Sequence, residues 1–314
     1  MSAPTGKVEG VPASTRTGTR VAAPARPLLE HRLIYVSGKG GVGKSTVAAA
    51  LGVASARRGR RTVVAEVHRR EDVAHVVRAA GADHVSIDPQ ETLEDYVIDQ
   101  LPVRALADLL ISSRSFTYLA AATPGLRELV TAGALWELAQ DRRRAADAQP
   151  YEVVVADAPA TGHGVALLTA ARTFAAATLV GPIARHAGII DEMLSDPVRT
   201  AVVAVTTPEE MPVNETLALR DALREQIGLD VSLVVANGVR QASLDDEARE
   251  RLRAAKPHPA IAAALSADAK AHAHAEQLER LRAELRDGPP VVEVPYRAGG
   301  ADPGDLAAAL EGAL

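Results

Sequence analysis

Two lysines stand close together in a short glycine-rich stretch of the sequence. The stretch "GKGGVGKS" runs from Gly38 to Ser45 and holds Lys39 and Lys44, two of only five lysines in a chain with 30 arginines. Glycines let a backbone fold into a concavity whose N–H groups point at an anion. The stretch also fits the pattern G-x-x-x-x-G-K-[ST], in which the lysine binds the β- and γ-phosphates of a nucleotide and the hydroxyl binds Mg²⁺. It therefore predicts a site for a nucleoside triphosphate and Mg²⁺.

Lys39 is an addition to this pattern, which does not require a lysine directly after the first glycine. A second ammonium group there would stabilise the charge that develops during phosphoryl transfer. The alternative is an ordinary solvated surface lysine. The residues expected to bind the phosphates are Gly38, Gly40, Gly41, Gly43, Lys44, Ser45 and Thr46.

A carboxylate is needed beside such a loop, and Asp157 is the candidate. It ends the apolar run of "YEVVVADAPATGHG", which begins at residue 151, so we expect it at the carboxyl end of a strand. From there it would accept a hydrogen bond from Ser45 or bind Mg²⁺, partly through water. The alternative, which involves no metal, is that Asp157 caps the N-terminus of a helix.

The elements that must position these residues form an alternating pattern of apolar strands and longer helical stretches. Most of the apolar runs are continuous rather than alternating, which is typical of parallel strands covered by helices on both faces. The pattern predicts an α/β fold with a doubly wound, mostly parallel sheet. The predicted strands are residues 33–37, 62–67, 84–87, 152–157, 177–181, 200–206, 231–237 and 291–294.

The chain divides into a tail and one larger unit. Residues 1–30 are rich in Pro, Ser, Thr, Gly and Ala without apolar periodicity, and we interpret them as a disordered tail. Residues 31–314 would form the nucleotide-binding domain. Within it, residues 91–148 are helical in pattern and form either a small helical subdomain or ordinary covering helices. Residues 243–286 predict one or two helices, broken near Pro257 and Pro259.

Composition excludes several classes of function. The net charge of −5 and the pI near 6.0 give no reason to expect a nucleic-acid partner. The chain has no cysteine, so disulfides, thiolate zinc sites and iron–sulfur clusters are excluded. No apolar run reaches the ~18 residues of a membrane span, and no apolar signal core is seen. We expect a cytoplasmic protein that does not insert into membranes.

The loop and the Asp157 segment together resemble a known family. The loop with its extra Lys39 is similar to that of the deviant Walker A ATPases. Within that class, "DAPATGH" (157–163) resembles the switch of the arsenite-pump ATPase (ArsA) family, which includes the Get-pathway ATPase that targets tail-anchored proteins. Weaker similarities over residues 32–314 are "TPGLREL" (123–129), "TTPEEMPVNET" (206–216), "VVANGV" (234–239) and "VVEVPY" (291–296).

The resemblance implies a P-loop fold and a dimeric, Mg²⁺-dependent ATPase. Lys39 would reach the nucleotide of the other subunit, and Asn237 would bind adenine, with Pro295, Tyr296 and Arg297 near the base. Asn237 also has a plainer interpretation as a turn residue before Gly238. The partner would be a second copy or a paralogous ATPase, and a protein client is conceivable.

Two departures from the family limit what is carried over. Where the family has an Asp that positions the attacking water, this chain has His68, a weaker orienting group. Glu66, Glu71 and Asp72 are the alternative groups for this role, should the loop be shifted. Two functions therefore stay open: an active ATPase, or a nucleotide-binding, weakly active regulatory subunit paired with an active paralogue. Without cysteine, the family's arsenite and zinc sites are excluded.

A partition- or division-type ATPase of the same class is the third alternative. Such proteins need a basic surface or a basic amphipathic C-terminus. The chain printed here ends in the acidic segment "ADPGDLAAALEGAL", which disfavours this function.

Overall fold

A computed structural model describes most of the chain. The described residues are 26–67, 73–100, 108–109, 111–113, 123–144, 148–177, 182–286 and 288–314. Of the sequence predictions, residues 1–25 of the predicted disordered tail (1–30), His68, Glu71 and Asp72 lie outside them. The last residues of that tail are ordered: Leu28–Glu30 form a short 3-10 helix, and the apolar side chains of Leu28 and Leu29 are buried, so the tail prediction is wrong there.

Across the described residues, seven parallel strands form one sheet in the order β3-β2-β4-β1-β5-β6-β7. Strands β2, β3 and β4 lie on one side of β1, and β5, β6 and β7 lie on the other. The chain therefore leaves neighbouring strands in opposite directions, and a crevice opens at their carboxyl ends. The strands are β1 (Leu33–Gly38), β2 (Thr62–Val67), β3 (Asp83–Ile87), β4 (Val153–Asp157), β5 (Thr200–Thr206), β6 (Leu233–Val239) and β7 (Val291–Pro295).

Helices alternate with the strands along the chain. Within the described ranges they are α1 (Lys44–Arg57), α2 (Ala74–Ala79), α3 (Pro89–Gln100), α4 (Leu126–Leu138), α5 (Thr161–Ala177), α6 (Pro182–Leu194), α7 (Glu210–Gln226), α8 (Asp246–Ala254), α9 (Pro259–Leu285) and α10 (Pro303–Leu310). In the part of the chain that is described, no helix combines the length and the hydropathy that a membrane span requires.

The two faces of the sheet bury separate apolar clusters. Alternate strand residues such as Ile34 and Val64 pack against α1, α2 and α10 on one face. Their neighbours, such as Leu33 and Val63, pack against α4, α5, α6, α7 and α9 on the other. Strands buried on both faces explain why the sequence shows continuous apolar runs. Glu66 follows Val64 by two residues in β2, so its side chain lies on the same face of the sheet, the face that α1 covers. Asp157 is in register with Glu66 on the neighbouring strand and lies on that face too.

The structure confirms the predicted α/β fold with a doubly wound sheet. One predicted strand, 177–181, is wrong where it is described: Ala177 is the last residue of α5, and 178–181 lie outside the described residues. Its short apolar run cannot be distinguished from a helix end by pattern alone. The helices predicted over 243–286 are present as α8 and α9, with Pro259 opening the second.

Candidate functional site

The glycine-rich loop connects the end of β1 to the start of α1. Gly43 caps α1 with φ at 96°, and Gly38 ends β1 with φ at 150°. A Cβ atom on Gly38 would lie 2.1 Å from the carbonyl oxygen of Val205 on the neighbouring strand, so only glycine fits. The loop therefore places backbone N–H groups at the positive end of a 14-residue helix, an arrangement that attracts phosphate.

Lys44, the first residue of α1, folds back over this loop. Its Nζ donates a hydrogen bond to the carbonyl oxygen of Lys39 at 2.9 Å. The ammonium group thus lies across the loop instead of extending into solvent. Thr46 follows in the first turn of the same helix.

Ser45 and Asp157 meet at the ends of adjacent elements. Strand β4 pairs with β1, with Asp157 in register with Val36. The Ser45 hydroxyl donates to Asp157 Oδ2 at 2.5 Å, and Asp157 is only 6% exposed. A hydroxyl and a carboxylate are hard oxygen donors of the kind that Mg²⁺ prefers, so the donor set fits this ion. Within the described residues, no group of three or more His, Asp or Glu side chains could hold a metal ion.

Beneath the loop, Tyr35 ties β1 to the segment after β4. Its hydroxyl donates to the carbonyl oxygen of Gly164 at 2.9 Å. Burial raises the pKa of Tyr35 above its usual range, and the charge of Asp157 raises it further. The hydroxyl therefore keeps its proton and remains a donor. This contact holds the start of α5, which follows Asp157 in the chain, against the strand that leads into the loop.

Lys39 contacts α7 of its own chain. Its Nζ lies 3.3 Å from Glu215 Oε1 and also contacts the sulfur of Met211. The side chain is 28% exposed, so in the single chain α7 covers it in part. The expected contact of Lys39 with the nucleotide of another subunit stays a prediction.

Asn237 holds the glycine-rich loop, a role the sequence did not indicate. Its Nδ2 donates to the carbonyl oxygen of Val42 at 2.9 Å, and a Cβ on Gly43 would lie 2.3 Å from that same Nδ2. Asn237 lies within β6, and the turn conformation belongs to Gly238, with φ at 73°. The amide hydrogens of Asn237 therefore face the loop, and its Oδ1 is an acceptor at the same edge.

A buried hydrogen bond between a carboxylate and a histidine lies next to Asp157 on the α1 face of the sheet. Glu66 is in register with Asp157 across β2 and β4. Its Oε2 lies 2.5 Å from His84 Nε2 on β3, and both side chains are 1% exposed. Glu66 is one of the three residues expected to substitute for the missing switch Asp, and no sequence pattern indicates His84 as its partner.

Residues near the expected base site meet at the ends of β6 and β7. The Tyr296 backbone N–H donates to the carbonyl oxygen of Val239 at 2.8 Å, and the Tyr296 ring is 49% exposed. The guanidinium carbon of Arg240 lies 3.6 Å from the centre of that ring. Pro295 ends β7, and Arg297 forms a 3.1 Å ion pair with Asp305 on α10.

His274 on α9 fixes the backbone of Arg240. Its Nδ1 accepts a hydrogen bond from the Arg240 backbone N–H at 3.2 Å. Burial lowers the pKa of His274 below its ordinary 6.5; Glu209 opposes this shift, while Arg240 and Lys270 add to it. A neutral ring is required for this contact because a protonated histidine has no acceptor.

The structure thus brings together most of the residues singled out from the sequence. Gly38 to Thr46, Asp157 and Asn237 gather at the carboxyl ends of β1, β4 and β6. Lys39 joins them from the loop. The position of His68 lies outside the described residues.

The chain matches a family model described as anion-transporting ATPase. The match covers residues 31–181 and 182–258, which is more than half of the 314-residue chain. It contains the glycine-rich loop, Asp157 and Asn237 and ends before β7.

Individual relatives carry similar names. The ATPase BagA of Mycobacterium tuberculosis is 30% identical over 241 residues, which cover 70% of this chain and 68% of the relative. The arsenical pump-driving ATPase of Escherichia coli is 27% identical over 252 residues, covering 71% of this chain and 41% of that relative. The corresponding ATPase of Acidiphilium multivorum is 27% identical over 237 residues, with 66% and 39% covered. The chain therefore spans less than half the length of these two arsenical pump ATPases.

Proposed function

Because the chain belongs to the anion-transporting ATPase (ArsA) family, we propose that it binds ATP with Mg²⁺ at the loop Gly38–Ser45 and hydrolyses it. The observation that carries this proposal is the 2.5 Å contact between Ser45 and Asp157 beside the first turn of α1. It sets two oxygen ligands next to backbone amides and Lys44, which is the donor set that a magnesium triphosphate requires.

Each group has a distinct part in this function. The loop amides and the N-terminus of α1 bind the phosphate oxygens. Lys44 leaves the carbonyl oxygen of Lys39 to bind the β- and γ-phosphates. Ser45 and Asp157 hold Mg²⁺, Asp157 partly through water, and the bound ion neutralises charge on the phosphate oxygens.

Asn237 selects adenine in this proposal. Its amide hydrogens are directed at Val42, so the side-chain atom that remains for the base is Oδ1. This acceptor can receive a hydrogen bond from the 6-amino group of adenine. Guanine has the carbonyl oxygen O6 at that position, and O6 cannot donate a hydrogen bond. Pro295 and Tyr296 border the base from the end of β7.

Lys39 supports a dimeric switch. In the single chain its charge lies against Glu215 at 3.3 Å. When nucleotide draws two subunits together, Lys39 exchanges this carboxylate for the phosphates of the other subunit. The second subunit is another copy of this chain or a paralogous ATPase, and a protein client is one use of the switch.

The remaining sequence predictions are part of the same proposal. Residues 31–314 form the ATPase unit. Within residues 91–148, the described helix α4 packs on the sheet, which favours the covering-helix alternative over a separate helical subdomain there. The protein acts in the cytoplasm.

A weakly active regulatory subunit is the second candidate function. His68 replaces the water-positioning Asp, and Glu66, the described carboxylate nearest in sequence, is buried against His84. A carboxylate held in this way is poorly placed to orient water. ATP binding would then persist while hydrolysis depends on an active partner.

The test compares binding and turnover in variants at two lysines. We expect wild-type protein to bind Mg-ATP and Lys44→Ala to lose at least about tenfold in affinity, or ~1.4 kcal/mol. The matched control is Lys256→Ala, an exposed lysine in the segment between α8 and α9. Equal affinity of Lys44→Ala and wild type would contradict the site.

Turnover separates the two candidate functions. Steady hydrolysis by the purified chain supports the active enzyme. Binding without hydrolysis, followed by hydrolysis in His68→Asp or after addition of a paralogue, supports the regulatory subunit.

A further inference from the structure

An exposed arginine–tyrosine stack stands at the edge of the proposed base site. The Arg240 guanidinium carbon is 3.6 Å from the centre of the Tyr296 ring, and Tyr296 is 49% exposed. Arg240 lies three positions after Asn237, which contacts the glycine-rich loop.

The stack is held in place by backbone contacts on both sides. Tyr296 N–H donates to the carbonyl oxygen of Val239 at 2.8 Å, and Arg240 N–H donates to His274 Nδ1 at 3.2 Å. The pairing of β6 with β7 shifts register between Asn237 and Val239, where Gly238 has φ at 73°. This bulge redirects the chain after Asn237, so that Arg240 meets Tyr296.

We propose that Arg240, supported by Tyr296, is the stacking platform for the purine base of the bound nucleotide. This inference rests on the proposed ATP site. A guanidinium plane stacks on heteroaromatic faces as well as on phenol rings, and base stacking tolerates any base because each has a π-face. Arg240 therefore contributes affinity and places the base, while Asn237 Oδ1 distinguishes adenine from guanine.

Charge and planarity both favour this assignment over a phosphate contact. Lys44 and the loop amides lie on the Val42 side of Asn237, whereas Arg240 lies beyond it at the end of β6. Its guanidinium carbon lies 3.6 Å from the Tyr296 ring centre, and in the proposal the second face of the guanidinium plane stacks on the base. A residue that bound phosphate would instead direct its N–H edge at the loop.

The test separates base from phosphate by using two ligands. Affinities for Mg-ATP and for inorganic tripolyphosphate are measured for wild type and Arg240→Ala. We expect Arg240→Ala to weaken ATP binding about tenfold and to leave tripolyphosphate binding within about twofold. GTP affinity should fall by the same factor as ATP affinity, because stacking does not distinguish the two bases.

Two further variants test the mechanism of the platform. Tyr296→Ala should reproduce the loss, the double variant with Arg240→Ala should lose little more than either single one, and Tyr296→Phe should bind as wild type does. The control is Arg253→Ala, an exposed arginine on α8. Should Arg240→Ala fail to fold, Arg240→Lys keeps the charge without the plane and is expected to weaken ATP binding in the same direction.

Several results would overturn the inference. They are unchanged or tighter ATP binding by Arg240→Ala, or an equal loss for ATP and tripolyphosphate. Wild-type protein that binds neither ligand would refute the proposed function itself, and the platform with it. Wild-type binding of both ligands, unaffected by Arg240→Ala, would refute the platform alone.

Discussion

Replacing His84 by leucine should destabilise the protein by about 3–5 kcal/mol, because it removes one partner from a buried carboxylate–histidine pair. Glu66 Oε2 and His84 Nε2 are 2.5 Å apart, and each side chain is 1% exposed. Water has no access to the carboxylate at this depth, so the loss of His84 leaves a charge whose desolvation is no longer offset by this partner.

The magnitude follows from two contributions. A hydrogen bond to a charged group is worth about 1.5–3 kcal/mol, and the rest comes from the carboxylate that stays buried. At roughly 2 °C per kcal/mol for a chain of this size, the melting temperature should fall by about 6–10 °C.

Urea and thermal unfolding of three variants would test this reasoning. His84→Leu is compared with His75→Leu, an exposed histidine on α2, which should change stability by less than about 0.5 kcal/mol. The double variant Glu66→Leu with His84→Leu should recover most of the loss, because an apolar pair has no charge to desolvate. A cost below about 1 kcal/mol for His84→Leu, or a double variant no more stable than the single one, would refute the reasoning.

Three other predictions concern the site and its supports. Glu215→Gln should weaken the contact that holds Lys39 and increase ATP-dependent self-association in analytical ultracentrifugation; unchanged or reduced association would count against the switch. Asn237→Ala should loosen the loop at Val42 and weaken ATP binding by about 1 kcal/mol, or roughly fivefold, in calorimetry; wild-type affinity would be contrary evidence. The folded-state pKa of His274 is lowered, so the unfolded chain takes up a proton first and stability should decrease as pH falls below about 6.5. Urea unfolding from pH 7.5 to 5 should show this loss, and His274→Asn should reduce the slope; equal slopes would contradict it.

The sequence was most informative where local pattern alone determines structure. Continuous apolar runs gave the strands of the doubly wound sheet, and the loop motif gave the Ser45 position because its flanking strand and helix have strong patterns. The strand predicted at 177–181 failed at Ala177 because a short apolar run also suits the end of a buried helix.

Contacts between distant segments could not be predicted from the sequence. The bond from Asn237 to Val42 joins residues 195 positions apart, and nothing local to either residue indicates it. His84 was placed in a strand, but its partner Glu66 follows only from the register of β2 with β3. The stack of Arg240 on Tyr296 likewise depends on a bulge that a single glycine creates within β6.

Calorimetry of ATP binding with and without magnesium tests the central claim most directly. We predict that Mg²⁺ tightens ATP binding to wild-type protein and that Asp157→Ala loses this gain while still binding metal-free ATP through the loop and Lys44. Wild-type affinity that is indifferent to Mg²⁺, or a full magnesium effect in Asp157→Ala, would contradict the assignment of Ser45 and Asp157 as the metal site.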